Sequence, residues 1–479
     1  MNKFSWITLS LLAPLAVGCG DSSTEDEVTE GTAVGVVFDP AEADFGASMA
    51  DDGQKVVWLS RRNDDSELRI PPAKVLTYDA SRAEDDRIEI LPGVAEGGVR
   101  QARLSPDGLK VAVVREGDPD QLELVGFAGS PAQSVDLGVA AGTRLGDLAW
   151  SADSQLVAFT AWSEADDGSR QHAVRVVRVA QSGDQFEVVV SAAQQGLRPQ
   201  LVRVGGQDYL ALNRYETAGS LKIVLLPLTA SSTAVTLDSE QAVSTDGPET
   251  ATGHEFYASP RQLFYSESPA LTSDLPTHSR WGNRETEGDD DEANTSVATV
   301  ITEPLRALEL PGLSASTALD FSQYNALAPA EILSVDATGQ GQYVLLVGPQ
   351  YPACENLDLV GTMMLLLNLD QQTVFPLVPT LDDNRNPVGL TSAPCTAVDD
   401  SVSVLDQPLD LRVRRAQLIE AGAGEFVVTY ETRFGGQLDV YRLSFSATNI
   451  DTAGLARNEL ELELPNEPFQ LISQSTSAE

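Results

Sequence analysis

Ala102-Arg103-Leu104-Ser105-Pro106-Asp107-Gly108-Leu109-Lys110-Val111-Ala112-Val113 reads as a β-hairpin: an apolar run, a tight Asp-Gly turn, and a second apolar run. The frame occurs twice more. Ala47-Ser48-Met49-Ala50-Asp51-Asp52-Gly53-Gln54-Lys55-Val56-Val57-Trp58 precedes it, and Leu148-Ala149-Trp150-Ser151-Ala152-Asp153-Ser154-Gln155-Leu156-Val157-Ala158-Phe159 follows it. The aligned aspartates Asp52, Asp107 and Asp153 stand about 55 and about 46 residues apart. That period is long enough for two further strands after each hairpin.

Weaker versions continue downstream, with Gly205-Gly206, Ser259-Pro260, Thr338-Gly339 and Gly422-Ala423 at the turns. A third alternating run follows each hairpin: Lys74–Tyr78, Gln121–Phe127, His172–Ala180, Leu221–Leu228, Thr295–Ile301, Thr362–Leu369 and Gln437–Phe445. A fourth is clearest in Phe186–Val190, Leu305–Leu310 and Leu460–Leu464. No 3.6-residue apolar period competes with these strands. The pattern predicts an all-β chain folded as a β-propeller of seven four-stranded blades, with six or eight also compatible; blade periods of ~40–50 residues are usual. The apolar run Ala33–Phe38 is expected to pair beside the last blade and close the ring.

The Ser105-Pro106-Asp107-Gly108 hairpin with Val111-Ala112-Val113 resembles the WD-repeat-like blades of the TolB family, well over Ala47 to Thr160 and only loosely elsewhere. The resemblance implies a propeller ring and an exported location, and little about chemistry. TolB proteins carry an α/β domain before the ring, whereas here a tether is expected to lead straight into the first blade. Propeller peptidases of the prolyl oligopeptidase group add a serine-hydrolase domain, for which the text after the last strand run leaves no expected place.

Charge narrows the partners. Of 479 residues, 31 are basic and 71 acidic, a net charge of −40. Such a surface repels nucleic-acid phosphates, so nucleic-acid binding is excluded. The first 18 residues read as a leader, with Lys3 before a mostly apolar stretch too short to span a bilayer. Leu15-Ala16-Val17-Gly18-Cys19 resembles the lipobox of bacterial lipoproteins, in which the cysteine is acylated and becomes the first residue; Ala16 departs from the commonest residue, Leu. Residues 19–32 form an acidic tether, 33–466 the propeller and 467–479 a tail in this reading. Gly20 rather than an aspartate after Cys19 slightly favours the outer membrane.

With Cys19 lipidated, Cys354 and Cys395 remain, and in an exported protein an even pair is expected to form a disulfide. Ser48 sits in Gly46-Ala47-Ser48-Met49-Ala50, a loose likeness of a nucleophile elbow, but inside an expected strand rather than a strand-turn-helix. His172, His254 and His278 are scattered and make neither a triad nor a zinc site. The acidic doublets Asp64-Asp65, Asp85-Asp86, Asp166-Asp167, Asp289-Asp290-Asp291-Glu292 and Asp382-Asp383 fall between strand runs. Their oxygens could take calcium, but none has a calcium-loop spacing, and solvated charge is the plainer reading. No cofactor is expected. Two functions remain: a lipid-anchored scaffold that binds an envelope protein through the loops of one ring face, or an extracytoplasmic hydrolase or lyase of glycans or peptides using channel carboxylates.

Overall fold

In the computed structural model the described residues are 44–61, 73–83, 86–94, 98–164, 170–182, 185–217, 220–239, 241–244, 256–259, 262–266, 305–313, 316–318, 334–338, 342–350, 361–368, 373–381, 387–391, 415–422, 425–434, 437–446 and 470–471. They form seven antiparallel sheets and no α-helix. Blade 1 is β1 (Asp44–Met49), β2 (Lys55–Ser60), β3 (Lys74–Asp79) and β4 (Ile88–Ile90). Blade 2 is β5 (Val99–Leu104), β6 (Lys110–Arg115), β7 (Gln121–Gly126) and β8 (Gln133–Val135). Blade 3 is β9 (Arg144–Trp150), β10 (Leu156–Glu164), β11 (Arg170–Ser182) and β12 (Gln185–Val190), with β13 (Gln194–Gln195) beside β11. Blade 4 is β14 (Leu197–Val204), β15 (Gln207–Thr217), β16 (Ser220–Ala230) and β17 (Val235–Leu237), with β18 (Val243–Ser244) beside β16. Blade 5 is β19 (Phe256–Ala258), β20 (Gln262–Ser266), β21 (Leu305–Glu309) and β22 (Ser316–Ala318). Blade 6 is β23 (Ser334–Ala337), β24 (Tyr343–Gln350), β25 (Gly361–Asn368) and β26 (Thr373–Leu381), extended by β27 (Pro387–Thr391). Blade 7 is β28 (Arg415–Gly422), β29 (Glu425–Phe434), β30 (Gln437–Ser446) and β31 (Gln470–Leu471).

The predicted propeller of seven blades is what the chain forms. Its core lies between blades, and strand alternation explains how. Val111 and Val113 of β6 join an apolar cluster with Val57 and Leu59 of blade 1. Ala112 and Val114 join Val157 and Phe159 of blade 3. Leu156 and Ala158 of β10 turn the other way, onto Leu210 and Leu212 of blade 4. Second strands are therefore covered on both faces, which is why they read as continuous apolar runs.

The aligned turns share one hydrogen-bond scheme. The Asp52, Asp107 and Asp153 carboxylates accept from the backbone N–H two residues on, at 2.8, 3.0 and 3.1 Å. In blades 2 and 3, Ser105 and Ser151 add a hydroxyl that bonds the aspartate and accepts the N–H of Lys110 and Leu156, both at 2.9 Å. The next position is left-handed, with φ of 66° at Gly53, 67° at Gly108 and 58° at Ser154. Blade 3 tolerates a serine there because its Oγ accepts the Asp107 N–H of blade 2 at 2.9 Å, a bond glycine cannot make.

Two strand assignments differ from expectation. In blade 5 the third strand is Leu305–Glu309 and the fourth Ser316–Ala318, so Leu305–Leu310 moves one place inward. The Phe264-Tyr265 edge pairs with Ala307 and Arg306, a register that period-2 alternation alone could not choose over Thr295–Ile301. In blade 7 the fourth strand is Gln470–Leu471, paired with Arg442 and Tyr441, beyond residue 466 where the ring was expected to end. Leu460–Leu464, Thr295–Ile301 and Ala33–Phe38 lie outside the described residues.

Candidate functional site: the central channel

Residues on or beside the first strand of every blade line one cavity of about 750 Å³ at the centre of the ring. In blades 2 to 5, apolar residues of these strands, such as Val99, Leu148, Leu201 and Phe256, pack in the clusters between blades. What faces the channel is set by the residue two places before each turn, which is Ser48, Arg103, Ala149, Tyr257 and Asp336 in blades 1, 2, 3, 5 and 6.

Most of these polar groups bind the backbone of a neighbouring blade. Ser48 Oγ accepts Leu104 N–H at 3.1 Å, and Arg103 Nη1 donates back to Gly46 O at 2.9 Å. Gln101 Oε1 accepts Leu148 N–H at 3.3 Å, while Trp150 Nε1 donates to Arg103 O at 3.0 Å. Where blade 3 has only Ala149, Thr160 Oγ1 and Asp147 Oδ2 accept Arg198 N–H at 3.1 and 3.4 Å. Gln200 Oε1 accepts Ala258 N–H at 2.7 Å, and its amide donates to Phe256 O. Tyr257 Oη donates to Ala337 O at 3.2 Å, and Asp336 Oδ2 accepts Leu418 N–H at 2.7 Å. Gln417 Oε1 returns to blade 1, accepting Met49 N–H at 2.9 Å. A continuous belt of side-chain-to-backbone bonds thus runs round the channel. Burial, then the charges of Asp336 and Asp51, hold the Tyr257 phenol well above its ordinary range, so it stays a neutral donor.

At the turn face the charges are acidic but partly paired. Lys110 Nζ meets Asp107 Oδ2 at 2.7 Å, and Arg203 lies 3.7 Å from both Asp153 and Asp208. Burial raises the Asp208 carboxyl, against the pull of Arg203. Burial alone would raise Asp107 too, but the bonds from Lys110, Ser105 and Leu109 N–H hold it below the usual carboxylate range. Asp51 and Glu420 also line the channel, and among the described residues no donor reaches either carboxylate.

The residues singled out in the sequence fare unevenly. Ser48 is a strand residue of the belt, buried and bonded to the next blade. His172 lies on β11 opposite Trp162, away from the channel lining. Cys19, Cys354, Cys395, His254, His278 and every acidic doublet except Asp86 lie outside the described residues. Among the described residues no three His, Cys, Asp or Glu side chains are arranged to hold a metal ion. The belt itself was missed, although a polar residue interrupting an apolar run, as Arg103 does between Ala102 and Leu104, was its visible sign.

No protein-family model matches the chain, and no curated protein matches it significantly. Solved structures do match in fold. The β-propeller domain of the trilobed protease from Pyrococcus furiosus is 7% identical with a TM-score of 0.43, covering 85% of this chain and 98% of that one. TolB from Acinetobacter baumannii is 11% identical with a TM-score of 0.37, over 78% of this chain and 73% of that one. An oligogalacturonate lyase in complex with manganese is 11% identical with a TM-score of 0.43, over 84% and 89%. This chain also spans only 55% of an acylaminoacyl peptidase from Pyrococcus horikoshii. These likenesses concern the propeller ring alone.

Proposed function

We propose that this protein is a lipid-anchored binding propeller of the bacterial cell envelope, a scaffold that holds a protein partner at one ring face. The observation that carries the reading is the belt: the polar groups pointing into the channel bond neighbouring backbone, which fixes the ring and leaves few of them to do chemistry. Acyl chains on Cys19 would tie the ring to a membrane, the outer membrane being slightly favoured, with the acidic tether giving it reach. The Cys19→Ala variant should leave the membrane fraction and appear in the soluble envelope fraction. A variant that stays membrane-bound removes the anchor from the proposal. Non-reducing peptide mapping should find Cys354 and Cys395 joined; two free thiols would remove the disulfide.

A hydrolase or lyase is the second reading, and one observation favours it. Asp51 and Glu420 are channel carboxylates with no donor among the described residues, and Asp51 is pushed up to about 6 by burial, then by Asp52 and Asp107. The readings separate in one experiment. The purified full chain and its Asp51→Asn and Glu420→Gln variants are assayed on glycan and peptide panels, and crosslinked to partners in detergent-solubilised envelope. Turnover abolished by either variant establishes the enzyme. No turnover, with one reproducible crosslinked partner at the turn face, establishes the scaffold.

A further inference from the structure

β4 is the outer strand of blade 1, and among the described residues it pairs with β3 alone. Thr77 stands opposite Glu89, Asp79 N–H donates to Arg87 O at 2.9 Å, and Leu91 N–H donates to Val75 O at 2.9 Å. The main chain of Arg87, Glu89 and Leu91 therefore points inward, to β3. That of Ile88 and Ile90 points outward, setting two N–H and two C=O groups along the sheet edge.

The side chains add to this edge. Alternation puts Ile88 and Ile90 on the face that carries Tyr78 and Leu76, their partners on β3, towards blade 7. Nearer the ring centre Val427 and Val440 of blade 7 cover that face. At the rim it is open: Ile88 is 37% exposed and Ile90 47%, two of the three large exposed hydrophobics among the described residues. Blade 2 ends differently. Its outer strand β8 buries Val135, and the Gln133 amide bonds Phe186 of blade 3 in both directions, at 2.8 and 2.6 Å.

A hollow of about 470 Å³ adjoins β4, lined by Arg82, Ala83, Asp86, Ile88 and Glu89. Arg82 is held by Glu89 at 2.7 Å and Asp79 at 3.7 Å. No donor among the described residues reaches the exposed Asp86 carboxylate. From Asp79 to Glu89 the sequence sets Asp79, Glu84, Asp85, Asp86 and Glu89 against Arg82 and Arg87. A second copy of the chain would bring a net charge of −40 and its own Asp86, so like charge opposes the pairing of two such edges.

We propose that the outer edge of blade 1 receives an extended segment of a partner protein as a fifth strand, its apolar residues on Ile88 and Ile90 and a lysine or arginine in the hollow at Asp86. This edge lies at the opposite side of its sheet from β1, so it works independently of the channel and the turn face.

The test is amide hydrogen exchange of the purified full chain at physiological salt, with and without an acetylated, amidated peptide of alternating valine and lysine. In the free chain the Ile88 and Ile90 amides should exchange fast beside a protected Glu89. The peptide at millimolar concentration should slow both roughly tenfold, and a valine–glutamate counterpart should leave them unchanged. Ile90→Pro removes one outward N–H and no ladder bond, and should abolish the protection of Ile88. Ile88 and Ile90 amides already slow in the free chain, amides that stay fast with the lysine peptide, or equal slowing by both peptides would each overturn the proposal. So would protection of Ile88 that survives in Ile90→Pro, or protection that rises with protein concentration alone, which would assign the edge to a second copy. Should Ile90→Pro fail to fold, Ile88→Lys, which sets a like charge against the peptide, should abolish the protection of Ile90 and decides in its place.

Discussion

The junction between blades 1 and 2 and the junction between blades 7 and 1 do the same job by different means. At the first, the chain runs on from one blade to the next, Ser48 Oγ accepts Leu104 N–H, and the buried Arg103 donates back to Gly46 O. At the second, no such continuity links the described strands, and long buried side chains reach across. Glu431 Oε1 accepts Ala47 N–H at 2.9 Å, Arg442 Nε donates to Gly53 O at 2.8 Å, and Thr429 Oγ1 contacts Met49 Sδ at 3.0 Å. Glu431 is 6% exposed and Arg442 9%, and burial lowers the Arg442 guanidinium from its ordinary value. An apolar cluster of Met49, Trp58, Tyr78, Val427 and Val440 surrounds them. Both junctions aim a buried guanidinium at backbone, Arg103 at the first and Arg442 at the second, and the second adds the buried Glu431 carboxylate.

The largest effect should come from removing that charge. Glu431→Ala leaves Ala47 N–H buried and unpaired, and is expected to cost ~2–3 kcal/mol against ~1 kcal/mol for Ser48→Ala, as charge-assisted and neutral bonds differ. Denaturant melts of both variants measure this, and equal losses would erase the distinction between the junctions. Next is Gly53→Ala. Its φ is +66°, and a Cβ would stand 2.7 Å from Val427 Cγ2 across the seam. A loss of ~2 kcal/mol is expected from backbone strain and overpacking together. Gly108→Ala shares the φ, at +67°, but would meet the flexible Lys55 chain at 3.1 Å and Ala50 Cβ at 3.2 Å, so its loss should be smaller.

How much of this was written in the text depends on how local the cause is. The turns of blades 1 to 3 were legible because Asp52, Asp107 and Asp153 act on residues two places away. Gly205-Gly206 was legible for the same reason, closing the Val204–Gln207 pair. The order of strands in blade 5 was not, because 38 residues, 267–304, separate β20 from β21 and alternation says nothing about which run pairs. The belt was invisible for a further reason: Gln417 and Met49 are 368 positions apart. The channel carboxylates likewise became a set only once the ring brought blades 1, 6 and 7 together.

Two smaller effects sharpen the contrast on the side of blades 1 to 3. Lys110→Met should make the protein less sensitive to acid. Asp107 is held below the usual carboxylate range, so it contributes stability above its unfolded value of ~4 that is lost as the pH falls through the folded one. Without Lys110 much of that contribution goes, and the thermal midpoints of parent and variant should converge below pH ~4. The smallest change is expected from Ser154→Gly, within ~0.5 kcal/mol, because relief at φ 58° offsets loss of the Asp107 N–H bond. A loss above ~1 kcal/mol would mean that the turn-to-turn bond matters more than the strain.

The belt has a consequence for how such a sequence drifts. Each of its links ends on a main-chain N–H or C=O, which every residue except proline supplies on both counts. A substitution in one blade therefore rarely demands an answering change in the next. Ser48, Gln200 and Asp336 can do one task with three side chains because the receiving end never changes identity. Ancestral likeness between blades can wear away while the circle stays closed, leaving a recognisable repeat only where the Asp turns kept their own local reason to persist.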